Sequence, residues 1–272
     1  MVTHSRKDVV ALLEAHGLAP SRALGQNFVV DPNTVRRIAR LAAVGSGDHV
    51  IEIGPGLGSL TLALVETGAR LDVVEVDRYI VPVLRDILQP HGVGVYQGDA
   101  LTFDFGELTR GEPATVVANL PYNVATPLVL RLLEECPDIT RLVVMVQREV
   151  GERLAAHASE EAYGAVSVRV EYFAEARVIG SVPPTVFHPR PKVDSALVEL
   201  RRRPRVAIDP VRVSEDAIFT VVRQSFSQRR KMIRRSLADW ATEGVFERAG
   251  LTGTERPEDL TLDQFATLAE SR

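Results

Sequence analysis

The amino-acid sequence predicts an α/β fold: a mostly parallel sheet of about seven strands with helices on both faces, followed by a small all-α domain. Two observations carry the sheet. Short, β-branched apolar runs at residues 49–53, 71–76, 93–96 and 115–118 alternate with helix-length segments, the βαβαβ pattern of parallel strands joined by right-handed crossovers. Each run ends on glycine or a polar residue: Gly54 and Gly56, Glu75, Asp99, and Asn119. Open α/β sheets bind ligands at that carboxyl edge, and polar groups recurring there are hard to explain as packing. A third observation sets the domain boundary. Arg201-Arg202-Arg203-Pro204-Arg205 is followed by Asp209-Pro210, and from about residue 214 to 269 only helix-like stretches remain. The expected domains are therefore 1–203 and 204–272, the second too short for another α/β unit.

Composition narrows the function. The chain has 272 residues, 45% of them hydrophobic, which is enough to bury a sizeable core. No uncharged apolar run approaches the ~18 residues of a membrane span. His4, Arg6, Lys7, Asp8 and Glu14 leave no apolar stretch for a secretory signal, so a cytoplasmic protein with no membrane partner is expected. The single cysteine, Cys136, excludes an internal disulfide and reads as a small buried residue at a helix end. The histidines are scattered without metal-ligand spacing, and no metal is expected. The net charge of −4 is unfavourable for a phosphate-rich partner, so nucleic-acid binding would require cations gathered locally.

In chain order, residues 5–17 read as a short helix ending at Gly17, and Leu24-Gly25-Gln26-Asn27-Phe28 as a loop before a helix that opens near Asp31-Pro32. Arg36, Arg37 and Arg40 lie near one face of that helix, the usual pattern of a solvated surface. Gly54-Pro55-Gly56-Leu57-Gly58 then turns the first strand of the sheet into a helix, with Ser59 as its candidate cap. Glu75 stands at a spacing from that loop suited to the two hydroxyls of a ribose. A nicotinamide-dinucleotide site shows the same pair of features, although its loop is G-x-G-x-x-G and here Ser59 occupies the last position. Asp99 can accept the N–H bonds of an adenine amino group, or it can close an Asx turn.

The chemistry points to Asn119-Leu120-Pro121-Tyr122, at the end of the run 115–118. The Asn119 amide oxygen and the Leu120 carbonyl can accept both N–H bonds of an aromatic amine and draw its lone pair out of conjugation. Pro121 fixes its own φ and biases Leu120 toward an extended conformation, while Tyr122 can stack on the ring that bears the amine. The same tetrapeptide also reads as a β-turn. Further on, residues 127–135 read as helix, 142–146 as a buried strand, 147–150 as the start of a helix, and 173–179 and 196–200 as the last two strands. Between those two strands lie Pro183, Pro184, Pro189 and Pro191, a loop of low conformational entropy that offers Phe187 either to the target base opposite Tyr122 or to the core. In the tail, Arg223, Arg229, Arg230, Lys231, Arg234 and Arg235 crowd together without an acid, with Glu255, Glu258, Asp259 and Asp263 placed elsewhere. If that stretch is one helix, Arg230/Arg234 and Lys231/Arg235 are like-charge i,i+4 pairs, a cost of ~0.2–0.5 kcal/mol each that a phosphate backbone would turn into affinity.

Taken with the motifs Glu52-Ile53-Gly54-Pro55-Gly56-Leu57-Gly58, Glu75-Val76-Asp77, Gly98-Asp99-Ala100, Asn119-Leu120-Pro121-Tyr122-Asn123, the run 187–195 from Phe187 to Ser195, and Gln228-Arg229-Arg230-Lys231-Met232, the chain resembles the ribosomal RNA adenine N6-dimethyltransferases, within the class I S-adenosylmethionine-dependent methyltransferases. The resemblance covers about residues 20–240. It implies a Rossmann-like class I methyltransferase sheet, with 1–203 as the catalytic domain carrying an N-terminal helical extension and 204–272 as the RNA-binding domain. It implies S-adenosyl-L-methionine as methyl donor, held by Asn27, the backbone at Val29, Gly54, Gly56, Glu75, Asp99 and Asn119. It further implies dimethylation of two adjacent adenosines near the 3′ end of 16S rRNA in an immature small subunit by a monomeric enzyme. The alternatives are a large-subunit rRNA methyltransferase of the antibiotic-resistance type, whose members more often carry Ile at the position of Leu120, and an assembly checkpoint factor in which catalysis is secondary. Where many family members have Asn-Ile-Ser-Thr-Pro this chain has Asn123-Val124-Ala125-Thr126-Pro127, a change that touches only a secondary contact.

Overall fold

The computed structural model describes residues 3–238 and 244–270. The chain divides into two compact units: residues up to Gly151 together with Arg177–Arg201, and Glu152–Ala176 together with the chain from Arg202 onward. Residues 152–176 thus go with the C-terminal helices.

The first unit begins with α1 (Arg6–Ala15), whose N-terminus is closed by reciprocal hydrogen bonds between Ser5 and Asp8. A two-residue strand, β1 (Phe28–Val29), leads to α2 (Pro32–Ala42), capped by the Asp31 carboxylate on the Thr34 N–H, with a proline in its first turn. The βαβ run follows: β2 (His49–Ile53), α3 (Ser59–Val65), β3 (Arg70–Glu75), α4 (Ile80–Leu88), β4 (Gly94–Gln97), α5 (Gly106–Thr109), β5 (Ala114–Asn119), α6 (Ala125–Glu135) and β6 (Ile139–Gln147). Cys136 is the half-buried C-cap of α6. Beyond α7 (Arg148–Ala155) and α8 (Ala165–Phe173) come β7 (Ala174–Val182), β8 (Phe187–His188) and β9 (Ser195–Arg202).

Among the described residues, seven strands form one sheet in the order β4-β3-β2-β5-β6-β9-β7. Strands β2 to β6 are parallel to their neighbours and β9 is antiparallel to β6. The parallel centre is covered on both faces, which is why β2 is buried along its whole length and why its sequence does not alternate. One face packs α2 and α3 through Val35, Ile38, Ala39, Leu60 and Leu64 against Val50, Val143, Met145 and Leu197. The other packs α4 through Ile80, Leu84 and Leu88 against Val73, with Val9 and Leu13 of α1 in the same cluster. No helix among the described residues is long and apolar enough to cross a membrane.

Two local expectations are corrected. Ser59 does not cap α3; it is the first helical residue and is buried, because Gly58 takes the N-cap position at φ 82°, a conformation that a side chain would strain. Phe187 does not project toward a ligand. It pairs with Val29 across β1 and β8, is 0% exposed, and fills the core beside Val35 and Val182. An aromatic ring next to an apolar core gains more from burial than from solvent.

The second unit is helical: α8, α9 (Glu215–Phe226), α10 (Ile233–Ser236), α11 (Val245–Arg248) and α12 (Leu262–Glu270). Tyr163 is fully buried, donates its hydroxyl to the Leu260 carbonyl at 3.0 Å, and meets Phe226, which in turn meets Phe265. The basic stretch is not one helix. Residues 227–232 separate α9 from α10, so Arg230 and Lys231 lie in a turn and the supposed i,i+4 repulsion does not arise.

At the end of the sheet away from the strand tips that carry Gly54 and Asn119, the buried carboxylate of Glu199 on β9 accepts hydrogen bonds from Arg141 on β6, Arg177 on β7, and Arg201, each at 2.8 Å. Burial pushes this carboxyl up, but the three guanidinium groups outweigh it and hold it down at about 2. A folded-state pKa below the unfolded value stabilises the fold above pH 4.5 and is lost as pH falls toward 2. Glu199→Gln should therefore lower the unfolding free energy by on the order of 2 kcal/mol at pH 7, the difference from the parent shrinking by pH 3 in urea titrations at the two pH values.

Candidate active site

The ends of β2, β3 and β5 and the segment 24–29 enclose a cleft of about 710 Å³, counting its open mouth. Its walls include Asn27, Val29, Glu52, Gly54, Gly56, Glu75, Val76, Asn119, Leu120, Pro121 and Tyr122. Residues that lie far apart in the chain meet here because parallel strands all present their carboxyl ends on one edge.

The cleft is roofed by the segment around Asn27, and each contact of that strap fixes one residue type. Gly25 has φ 64°, and a Cβ there would come within 2.7 Å of the Asn123 side chain and 3.3 Å of Pro121. Gly56 has φ 57°, and a Cβ there would lie 2.8 Å from the Phe28 ring. Gln26 donates to Asp77 at 2.8 Å and accepts from the Ser21 N–H at 2.7 Å, tying the strap to the end of β3. On the opposite wall the Asn119 amide nitrogen donates to the Asn27 carbonyl at 3.0 Å. One N–H of Asn119 is thus used at the strap, and its amide oxygen remains as an acceptor.

Leu120 continues the wall. Its side chain is buried and its N–H donates to the Met145 carbonyl at 3.0 Å, while its own carbonyl has no hydrogen bond among the described residues. Tyr122 is half-buried, and its hydroxyl shares a hydrogen bond of 2.8 Å with Ser195, the fully buried first residue of β9. Burial raises the phenol pKa against the pull of that serine, so the ring stays neutral. Two acceptors and a braced aromatic face thus share one wall.

Two carboxyl groups lie opposite. Glu75, 4% exposed, accepts from the backbone N–H of Gly56 at 3.0 Å and of Asp77 at 2.9 Å, one on each oxygen. Burial raises its pKa while those N–H bonds lower it, and a carboxylate so held keeps lone pairs for two hydroxyl donors. Glu52 is 1% exposed, and its Oε2 has no partner among the described residues. Burial, opposed by the Thr61 hydroxyl and reinforced by Glu75, raises its pKa to about 8. A buried polar atom left without a partner in a cleft wall fits a ligand that brings a donor or a cation.

The remaining sequence candidates are placed differently. Asp99 is exposed at the end of β4 outside this lining, with one oxygen accepting the Leu101 N–H, as in an Asx turn. Phe187 lies in the core, as described. In the second unit Arg223, Arg229, Arg230, Lys231, Arg234 and Arg235 are all exposed. Glu258, thought remote from them, pairs with Arg229 at 3.0 Å, and Arg229 also donates to the Glu161 carbonyl. Glu52 and Ser195 enter the sequence motifs without a role of their own. The signal for Glu52 was a charged residue inside an otherwise apolar buried strand; the signal for Ser195 was a small polar residue opening a strand.

Comparison with known proteins agrees with this geometry. A family described as ribosomal RNA adenine dimethylase matches residues 19–271. The chain is 44% identical to a Thermobifida fusca protein named ribosomal RNA small subunit methyltransferase A, over 97% of this chain and 94% of that one. It is 45% identical to a protein of the same name from Phenylobacterium zucineum, over 95% and 90%. Among solved structures it is similar to the 23S rRNA methyltransferase ErmE, with a TM-score of 0.71 and 25% identity over 90% of this chain and 98% of that one. A dimethyladenosine transferase from Plasmodium falciparum shares the fold, with a TM-score of 0.72 at 23% identity over 88% of this chain and 94% of that one.

The raised pKa of Glu52 has a sign that can be measured. Between pH 4.5 and about 8 the native state holds a proton that the unfolded chain has lost, so stability falls as pH rises through that window. Glu52→Gln should remove on the order of 3–5 kcal/mol of that decline, read as a flatter pH dependence of urea unfolding in the ligand-free protein.

Proposed function

The chain belongs to the ribosomal RNA adenine dimethylase family, and from the geometry of its cleft we propose that it transfers methyl groups from S-adenosyl-L-methionine to N6 of two adjacent adenosines in a 3′-terminal hairpin of 16S rRNA, within an immature small ribosomal subunit. The observation that carries the chemistry is the hydrogen bond of Asn119: its nitrogen donates to the Asn27 carbonyl, which leaves its oxygen as an acceptor in the cleft wall next to the unused Leu120 carbonyl.

The residues present fit the proposed donor. Gly54 and Gly56 admit close backbone approach, Glu75 suits a ribose diol, and the orphaned Glu52 oxygen suits the cationic methionine end. When bound, S-adenosylmethionine supplies an electrophilic sulfonium methyl. Asn119 and Leu120 accept the two N–H bonds of the adenine amine, whose lone pair is otherwise delocalised into the ring, and favour a tetrahedral nitrogen. Tyr122 stacks on the base, and Ser195 keeps the phenol from rotating away. Orientation does most of the work, since the ammonium product is acidic enough to shed its proton without a strong base. The same wall serves a second round if the monomethylated amine turns its remaining N–H toward either acceptor.

The base must leave its stack, at a cost of a few kcal/mol unless the hairpin loop already exposes it. Arg223, Arg230, Lys231, Arg234 and Arg235, exposed on the second unit and residing in 204–272, supply phosphate contacts, with Arg229 partly neutralised by Glu258. A large-subunit target is the weaker reading. The relatives of 44–45% identity carry the small-subunit name, and the 23S enzyme stands at 25%.

With labelled S-adenosylmethionine and undermethylated small-subunit particles, label should map to N6 of paired adenosines in 16S rRNA. Asn119→Ala should lose ~10²–10³ in turnover, as for loss of one preorganised electrostatic partner. Tyr122→Ala should lose ~1–3 kcal/mol of base stacking. Transfer at the parental rate by both variants would sink the clamp.

Ser195→Ala and Tyr122→Phe each break the same bond. Each should lower kcat by several-fold, about 1 kcal/mol for one hydrogen bond, and the double variant should lose no more than either alone. Additive losses in single-turnover kinetics would show that the pair does not act as a unit.

A further inference from the structure

On the first unit, at the far end of β9 from the cleft, we infer that Arg177, Arg201 and Arg40 form a second phosphate-binding surface, one that grips the rRNA backbone away from the target base. The inference rests on the reading of the protein as an rRNA methyltransferase.

The placement comes from the sheet. β9 runs from Ser195, which braces Tyr122, to Glu199 and Arg201 on the same face, because alternate residues of a strand share a face. Six residues at ~3.2–3.4 Å each put Arg201 about 20 Å from Ser195. Arg141 is the direct cross-strand partner of Arg201, a like-charge pair that antiparallel sheets disfavour. Arg177 on edge strand β7 completes the group around Glu199. The C-terminal end of α2 lies alongside, where Arg141 donates to the Ala42 carbonyl at 2.5 Å. Arg40, in the last turn of α2, is exposed and adds a further cation.

The charge count separates a binding surface from a structural ion cluster. Arg141, with its side chain 15% exposed, already pairs with Glu199 and caps the end of α2. The side chains of Arg177 and Arg201 are 69% and 58% exposed, and both return to the same carboxylate. One carboxylate beside three arginines leaves two positive charges over, before Arg40 is counted. The nearby Arg36 is matched by Glu66 at 3.6 Å. In a chain whose formal net charge is −4, such a local surplus runs against the composition. Guanidinium groups splayed from one buried anchor at an exposed sheet edge suit phosphate oxygens, which accept from arginine in the same forked geometry as carboxylates.

The test is binding to undermethylated small-subunit particles and to protein-free 16S rRNA across 50–200 mM salt, alongside methyl transfer. Arg177→Ala/Arg201→Ala leaves the Arg141–Glu199 pair in place. Its salt slope on free rRNA should be lower by ~1.8, so that its affinity deficit relative to the parent narrows about tenfold between 50 and 200 mM. Arg40→Ala, a single exposed change, should lower the slope by ~0.9. Arg177→Lys/Arg201→Lys should keep most of the slope. A parental slope in both alanine variants overturns the surface, as does a loss seen on intact particles but not on free rRNA, which would assign the contact to a ribosomal protein. Failure of the parent itself to methylate 16S rRNA, with these slopes intact, would instead sink the proposed reaction and leave the surface standing.

Discussion

One hydrogen bond organises this protein's cleft: the amide nitrogen of Asn119 on the carbonyl of Asn27. It joins the end of the central strand β5 to a segment ninety-two residues earlier in the chain, and it decides which atom of the side chain is held at the strap. Rotated by 180°, the amide would set oxygen against oxygen at the strap and present N–H groups to the cleft, where an amine also carries only donors. A bond of this kind contributes only about 1 kcal/mol to folding. Its larger effect is on specificity, because a site that offers two acceptors in fixed directions favours an amino group over a carbonyl at the same position.

That bond works only because the strap lies close, and closeness is set by glycine. At Gly25 and Gly56 the backbone is in the left-handed region and a methyl group would press into Asn123 or Phe28. Gln26 then anchors the strap to Asp77 beyond the end of β3 while the Asn27 carbonyl holds it to Asn119 at the end of β5. The strap therefore couples the two halves of the cleft, and any ligand that enters beneath it is read by both.

The sheet and much of the cleft were legible in the sequence because strand-end positions carry local signals: β-branched runs, glycines, then an isolated acid or amide. Gly54, Gly56, Glu75, Asn119 and Tyr122 were found in that way, and all line the cleft. What was missed depends on contacts between distant segments. Ser195 matters because β9 returns antiparallel to β6 and brings its first residue to Tyr122. The position of Phe187 was open in the sequence, since a rigid proline loop can present or bury its aromatic residue, and the pairing of β8 with β1 decided for burial. The break between α9 and α10 was hidden because Arg and Lys are good helix formers, so a turn rich in them carries no local mark. The assignment of residues 152–176 to the helical unit is a matter of packing, which composition does not encode.

The buried carboxyl groups of the first unit show two ways of handling the same cost. Moving a carboxylate out of water is unfavourable unless a partner is supplied. Glu199 is given more cationic partners than it needs, and its pKa falls; Glu52 is given too few, and its pKa rises to about 8. A fold selected for stability alone would match both, since an uncompensated buried acid lowers stability near neutral pH. The mismatch has opposite sign at the two places. The cleft holds an acid with no cationic partner among the described residues, whereas the far end of β9 holds more cations than its one buried acid balances. β9, with Ser195 at one end and Arg201 at the other, spans the distance between them.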